Sequence, residues 1–264
     1  MKTKGLISKK IILITLIAFW GASTPLLAWG PIGHYIVGEL AEKHLTKRAQ
    51  ENLKKILGSE SLAEVSVWPD EIKSDKNWNH THAWHYVSIP DNKHYHETKA
   101  SKKGDVIQAI KRFEKEVCNL KLERQKRYRA VKFLTHFIAD VHQPLHVGRK
   151  EDRGGNTINL KWFGKKRNLH QVWDSEMIEM QRLSFTEYVR FINHPSKTDV
   201  NSWQKHTLMD WVKESQKLRP QVYEFEQKKK YWEYRYLYDN KKDMNRRLTQ
   251  AGIRLAGVLN RCLK

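Results

Sequence analysis

From Pro31 onward the apolar residues recur at intervals of three and four rather than alternately. Ile36, Val37, Leu40, Ala41 and Leu45 make one stripe; a second, Ala49, Leu53, Ile56 and Leu57, follows a capping Thr46 and stops at Gly58. Val106, Ile107, Ile110, Phe113 and Val117 repeat the spacing, and Leu248, Leu255, Val258, Leu259 and Cys262 close the chain with it. Extended backbone is signalled only by "WHYVSIP" and by "TINLKWFG", the latter entered through the turn "DRGGN". No repeat or low-complexity linker divides the sequence. The pattern therefore predicts one mainly α-helical domain carrying a small β-hairpin.

Residues 1–28 follow a different rule. Lys2, Lys4, Lys9 and Lys10 precede an apolar run that ends at the small residue Ala28, the layout of a secretory signal cut between Ala28 and Trp29. An uncleaved anchor is the rival reading, because Leu26 is not the usual small residue three before the cut; the run is short for a span of ~20 residues. Cleavage leaves residues 29–264 in the periplasm or outside the cell, with no stable membrane anchor, and lowers the net charge from +20 to +16 by removing four Lys. Such a surface attracts polyanions, whether nucleic acid, anionic lipid or wall polymer, although solubility alone also accounts for basic surfaces. Cys118 and Cys262 either pair, as export permits, or remain as two buried thiols. Neither has metal-ligand spacing.

The chemistry concentrates in "FLTHFIADVHQPLH". Val131, Leu134, Ile138 and Val141 occupy one side of a helix, and His136 and Asp140, four apart, lie nearly opposite. Phe133 and Phe137 flank that pair, so the helix is apolar over most of its circumference and belongs in the core. Pro144 ends it and leaves His146 on the next turn. In "NLHQVWD", His170 and Asp174 repeat the i, i+4 spacing behind a capping Asn168. Either pair alone is satisfied by a hydrogen bond within it. Together with His146, and with no Cys to compete, they suit imidazole and carboxylate ligation of Zn²⁺, in more than one copy.

With "WGPIGH", "WPDEIK", "WHYVSIP" and "DRGGN" added in this order, the chain resembles the trinuclear-zinc, single-strand-specific nucleases of fungi, plants and bacteria, whose helical fold is shared with zinc phospholipases C. The resemblance implies three Zn²⁺ ions. The freed amino group and carbonyl of Trp29, with His34, would hold one ion; Asp70, His85, His136 and Asp140 a second, with Asp140 bridging to the first; His146, His170 and Asp174 the third. Signal cleavage would then create a ligand, since an acylated nitrogen coordinates poorly. The implied reaction is attack of a metal-activated water on phosphorus, oriented by Asp140, with Lys73 offsetting charge beside the scissile phosphate. Tyr86 matches an aromatic that stacks on a base, and Asn156 an amide that hydrogen-bonds to one. Ser88 stands where some members place an Asp.

The implied function is a secreted endonuclease acting on single-stranded DNA and RNA and on 3′-nucleotides, giving 5′-phosphorylated products and working as a monomer. A zinc phospholipase C on the same scaffold is the first alternative, against which Tyr86, Asn156 and the positive charge argue. A secreted basic nucleic-acid-binding protein with structural metals is the second. The segment "KKKYWEYRYLYDNKK" is open between a stacking surface for nucleic acid and a helix with an aromatic core side beneath solvated lysines, the second needing only ordinary packing. His142, next to the expected ligands, is a candidate to orient them.

Overall fold

The computed structural model describes residues 29–264, so the leader lies outside the described residues. Pro31, whose missing N–H costs nothing in a first turn, opens helix α1 (Pro31–Lys43). The Thr46 hydroxyl accepts from the Ala49 amide to start α2 (Lys47–Leu57), and Gly58 ends it at φ 77°. Asp105 caps α3 (Val106–Cys118) in the same way. Helix α4 (Arg124–His142) follows, then α5 (Phe185–Ile192), α6 (Lys197–Lys205), α7 (Leu208–Val222) and α8 (Trp232–Cys262). Ser184, Ser196 and Thr207 each close a capping box. Among the described residues no helix is long and apolar enough to cross a membrane.

Helix α4 is the axis of the core. Residues 130–142 are all buried, enclosed by α1, α3, α7 and α8, as a helix apolar around its circumference requires. Helices α1 and α8 meet at Gly252, where an added Cβ would stand 2.4 Å from the Cβ of Leu40. The two thiols do pair: Cys118–Cys262 joins the end of α3 to the end of α8 across 144 residues. In the chain-entropy account a loop of that size is worth about 5 kcal/mol.

Extended structure is slight. Strand β1 (Val87–Ser88) lies parallel to β2 (Val147–Gly148), with Val87 opposite Val147 and Ser88 opposite Gly148. Strands β3 (Asn159–Trp162) and β4 (Lys165–Asn168) form the expected antiparallel hairpin. Its two turn residues, Phe163 and Gly164, both take positive φ, as a primed turn needs.

Behind α4 lies a charged cluster that periodicity did not announce. Glu214 of α7 accepts from Arg247 (2.5 Å) and Arg254 (2.6 and 2.7 Å) of α8, both arginines being buried. Arg247 also donates to the His142 carbonyl, and Arg254 to the His142 ring, so the helix that carries His136 and Asp140 is clamped at its C-terminal end. Burial opposes the charge on Glu214, but hydrogen bonds from Arg254 and the field of Arg247 overcome it and hold the carboxyl down to about 2. A carboxyl depressed in the fold contributes stability in full above its ordinary value of 4.5, and loses it as pH falls towards 2. Glu214→Ala, which strands two buried cations, is expected to destabilise by about 3 kcal/mol, the low end for a buried pair because the carboxylate is partly open to solvent. Urea unfolding should show that deficit at neutral pH and a shrinking one below pH 4.5; a deficit independent of pH would assign it to packing instead.

Candidate metal centre

Three groups of ligand-type atoms converge around α4: His34, His136 and Asp140; Asp70, His85 and His136; and His146, His170 and Asp174. Within each, the atoms lie within 4.8 Å of one another. Local structure explains how. His34 sits one turn into α1, and its ring stacks on His136 with centroids 3.9 Å apart. Asp70 rides the single turn Trp68–Glu71, which Pro69 helps to start. His146 ends the 3₁₀ turn Pro144–His146. Asn168 caps the turn bearing His170, its side chain accepting from the Gln171 amide, and Asp174 lies in the widened turn Val172–Glu176.

The rings are held from behind. His136 Nδ1 donates to the Ser66 carbonyl (2.7 Å), His146 Nδ1 to the His85 carbonyl (2.7 Å) and His170 Nδ1 to the Gly154 carbonyl (2.6 Å). A carbonyl only accepts, so each ring, in its neutral form, spends its hydrogen on Nδ1 and turns Nε2 inward as an acceptor. The Nε2 atoms of His146 and His170 then face one another at 3.2 Å, and His136 Nε2 faces His85 Nδ1 at 2.9 Å. Two tetrahedral nitrogen ligands at a Zn–N bond of ~2.05 Å stand roughly 3.3 Å apart, so the His146–His170 spacing suits an ion between them. Both nitrogens of His34, Nε2 of His85 and Oδ1 of Asp140 are buried and lack hydrogen-bond partners. Unsatisfied buried acceptors of this density fit a cation set.

Asp140 divides its oxygens. Oδ1 is 3.5 Å from His34 Nε2, and Oδ2 is 3.2 Å from both His85 Nδ1 and His136 Nε2. A carboxylate so placed can serve two ions at once. Asp174 lies 3.1 Å from His170 Nε2 and accepts from the Gln143 amide at 2.7 Å. Trp29 is wholly buried: its indole donates to the Ala139 carbonyl, and the next amide, Gly30, donates to the Asp174 carbonyl. The start of the described chain is thus pinned between α4 and the His170–Asp174 turn.

Burial, with neighbouring imidazoles, pushes His34 well below its ordinary value; burial does the same to His85, aided by Lys73 and His136. For His146 burial also lowers, but Asp140 and Asp174 overcome it and hold the ring up to about 9. Asp174 is depressed by His170 and His146 against the opposing effect of burial.

Of the expected substrate residues, Lys73 contacts the centre through Asp70 and Tyr86 adjoins it in sequence. Lys73 donates to Asp70 at 2.5 Å. Tyr86, 44% exposed, directly follows buried His85. Ser88 lies in β1 opposite Gly148. Asn156 donates its amide to the Arg153 carbonyl, leaving its oxygen as the available group. Arg219 of α7, buried, organises this edge by donating to the carbonyls of Ile89 (2.6 Å) and Val147 (3.0 Å) and pairing with Asp91.

Some of this was not expected. His142 faces away from the ligands, its Nδ1 donating to the Ile138 carbonyl and its Nε2 accepting from Arg254, so it belongs to the charged cluster. Burial, with Arg247 and Arg254, keeps its ring neutral, pushing it well below the ordinary value. Gln143, Ser66 and Gly154 act on the ligands without being ligand types; only the positive φ of Gly154 and its closeness to the Leu145 carbonyl, 2.3 Å from a would-be Cβ, had a signal, the "GG" of the turn.

A mainly helical domain that buries three His/Asp groups around one helix has the donor set of a metal centre. The chain matches the family model described as "S1/P1 Nuclease" over residues 29–264, and it belongs to that family. It is 32% identical over 272 residues to Endonuclease 4 of Arabidopsis thaliana, covering 89% of both chains. It is 31% identical over 200 residues to Nuclease S1 of Aspergillus oryzae, covering 70% of this chain and 68% of that one. With Nuclease P1 of Penicillium citrinum the identity is 30% over 185 residues, 67% of this chain and 64% of its relative. The protein is a hydrolytic nuclease, and the rival readings as a phospholipase C or a binding protein give way to it.

Proposed function

We propose that this nuclease is exported, cut after Ala28, and holds three Zn²⁺ ions with which it cleaves single-stranded DNA and RNA, and 3′-nucleotides, to 5′-phosphorylated products and phosphate respectively. The observation that carries the metal reading is the convergence of His146 and His170, each held through Nδ1 by a backbone carbonyl, with their Nε2 atoms 3.2 Å apart. Trp29 and His34 would hold one ion, Asp70, His85, His136 and Asp140 a second, and His146, His170 and Asp174 the third. Bound zinc supplies an acidified water and charge for the departing 3′ oxygen.

The rest falls to the side chains. Asp140 accepts a hydrogen bond from the attacking water and so aims it. Lys73, held by Asp70, places a cation where phosphoryl charge develops. Tyr86 offers an exposed ring on which an unpaired base stacks, and the Asn156 oxygen accepts from a base edge. A base inside a duplex reaches neither group, which gives the preference for single strands. Ser88, where an Asp is found in some relatives of this type, supplies only part of a base-edge contact.

Processed protein incubated with single-stranded DNA, RNA, a 3′-nucleotide and phosphatidylcholine should release 5′-phosphorylated fragments and phosphate, and chelator should stop both. Choline phosphate release, or equal rates on duplex and single strand, would overturn the reading. Lys73→Ala is expected to lower kcat about 10²-fold with KM within a few-fold, at unchanged zinc content. A rise confined to KM would make Lys73 a ground-state contact.

A further inference from the structure

At the end of α4 remote from the ligands, α2, the turn between α3 and α4, and the residues after α8 enclose a pocket of about 530 Å³. Arg124 opens α4 and Asp140 lies near its other end. At ~1.5 Å of rise per residue, roughly 24 Å of helix separates them. Five cations line the pocket: Arg48 and Lys55 of α2, Arg124 and Arg127 of α4, and Lys264. No Asp or Glu side chain is in the lining. What these cations touch is neutral: Lys55 donates to the Asn52 side chain (2.9 Å), Arg124 to the Lys55 carbonyl (2.9 Å) and Arg127 to the Val117 carbonyl (3.2 and 3.1 Å). Nearby acids are engaged elsewhere, Glu123 with Lys126 and Glu60 with the Tyr128 hydroxyl. Glu51, a turn from Arg48 and Lys55 on α2, lies outside the lining. The pocket therefore keeps a surplus of positive charge.

Its other component is aliphatic. Ile56 and Leu263, both buried, and the half-buried Leu122 share the lining with Leu120, which stands 67% exposed. Among the described residues the other large apolar side chains this open are all aromatic. Leu120 is held there by a built turn: the Leu122 amide donates to the Asn119 carbonyl (3.0 Å) and the Lys121 amide to the Asn119 side chain (3.1 Å). The Cys118–Cys262 bridge ties that turn to the end of α8, and exposed Lys121 adds a sixth cation beside it. An ordered leucine kept in water among cations suits a boundary where an anionic layer covers an apolar one. Nucleic acid matches less well, because no aromatic ring lines the pocket for a base to stack on.

We propose that this end of the molecule docks reversibly on anionic phospholipid, with Leu120 entering the acyl boundary and Arg48, Lys55, Arg124, Arg127 and Lys264 holding the headgroup phosphates. The contact is peripheral, one leucine and a handful of charges, and differs from an anchor. Because His136 and Asp140 lie towards the opposite end of α4, a docked molecule keeps its metal centre turned to solution.

Protein beginning at Trp29 is sedimented with vesicles of mixed phosphatidylglycerol and phosphatidylcholine, and with phosphatidylcholine alone. It should bind the first and not the second, less tightly as salt rises. Arg48→Gln/Lys264→Gln is expected to lower the partition coefficient ~30-fold at low salt, the scale of two cations lost from an anionic leaflet. Leu120→Ser should lower it roughly tenfold, in high salt as well as low. Lys228→Gln/Lys230→Gln, which removes the same charge from another exposed surface, should stay within about twofold of wild type. Cleavage of a dinucleotide without vesicles should be the same in all four proteins, showing that each is folded. Equal weakening by the two charge variants would assign binding to overall charge and overturn the pocket, as would wild type that ignores anionic vesicles. Pocket variants that lose affinity for a single strand but not for vesicles would make the site a nucleic acid contact and overturn the lipid assignment.

Discussion

Asp140→Asn is expected to lower kcat by at least ~10³-fold, the scale of losing one preorganised charged group, and to leave the purified protein short of zinc. Asp140 is fully buried and, among the described residues, is the one carboxylate with an oxygen towards His34 and the other towards His85 and His136. The amide keeps the shape but brings a hydrogen-bond donor and no charge. The His34 group then has no anion, and His85 and His136 keep only Asp70. Circular dichroism should show an intact fold, because the substitution is isosteric; elemental analysis and single-strand cleavage should both fall. A variant with full zinc and full activity would remove Asp140 from the centre.

The second large effect tests the proposed cut before Trp29. One extra residue before Trp29 is expected to cost at least ~10²-fold in activity and one zinc per chain, more than an outer-shell mutation, because a nitrogen ligand itself is lost. Trp29 and its neighbour are tightly held: the Trp29 indole is locked to Ala139, Gly30 to Asp174, and a Cβ at Gly30 would lie 2.1 Å from the Ser175 hydroxyl. An amide nitrogen is no longer basic, so the added residue acts through chemistry as well as bulk. Protein cleaved to begin at Trp29 should recover activity and zinc together. Full activity with three zinc ions in the extended protein would refute the N-terminal ligand and the activation by export that follows from it.

The helical frame was legible because a helix writes its buried face into the chain every 3.6 residues: the stripe through Ile36, Val37, Leu40 and Ala41 and the capped start at Thr46 involve neighbours within a few turns. The pairs His136–Asp140 and His170–Asp174 were legible for the same reason, being one turn apart. Pairing between segments leaves no such mark. His85 meets His136 across 51 residues and His146 meets His170 across 24, and nothing in either stretch states the distance.

What the amino-acid order determined by itself was therefore local: which helices form, where they stop, and which side of each carries ligand-type residues. Only the tertiary structure decided that the two cysteines join, that Asp140 splits its oxygens, that His142 turns to the arginines instead of the expected ligands, and that Tyr231, Tyr234 and Tyr238 around the start of α8 stay in water while Trp232 and Tyr236 do not. Those outcomes depend on which faces meet when the helices pack around α4. That is a property of all the apolar surfaces together, and no single stretch of the chain contains it.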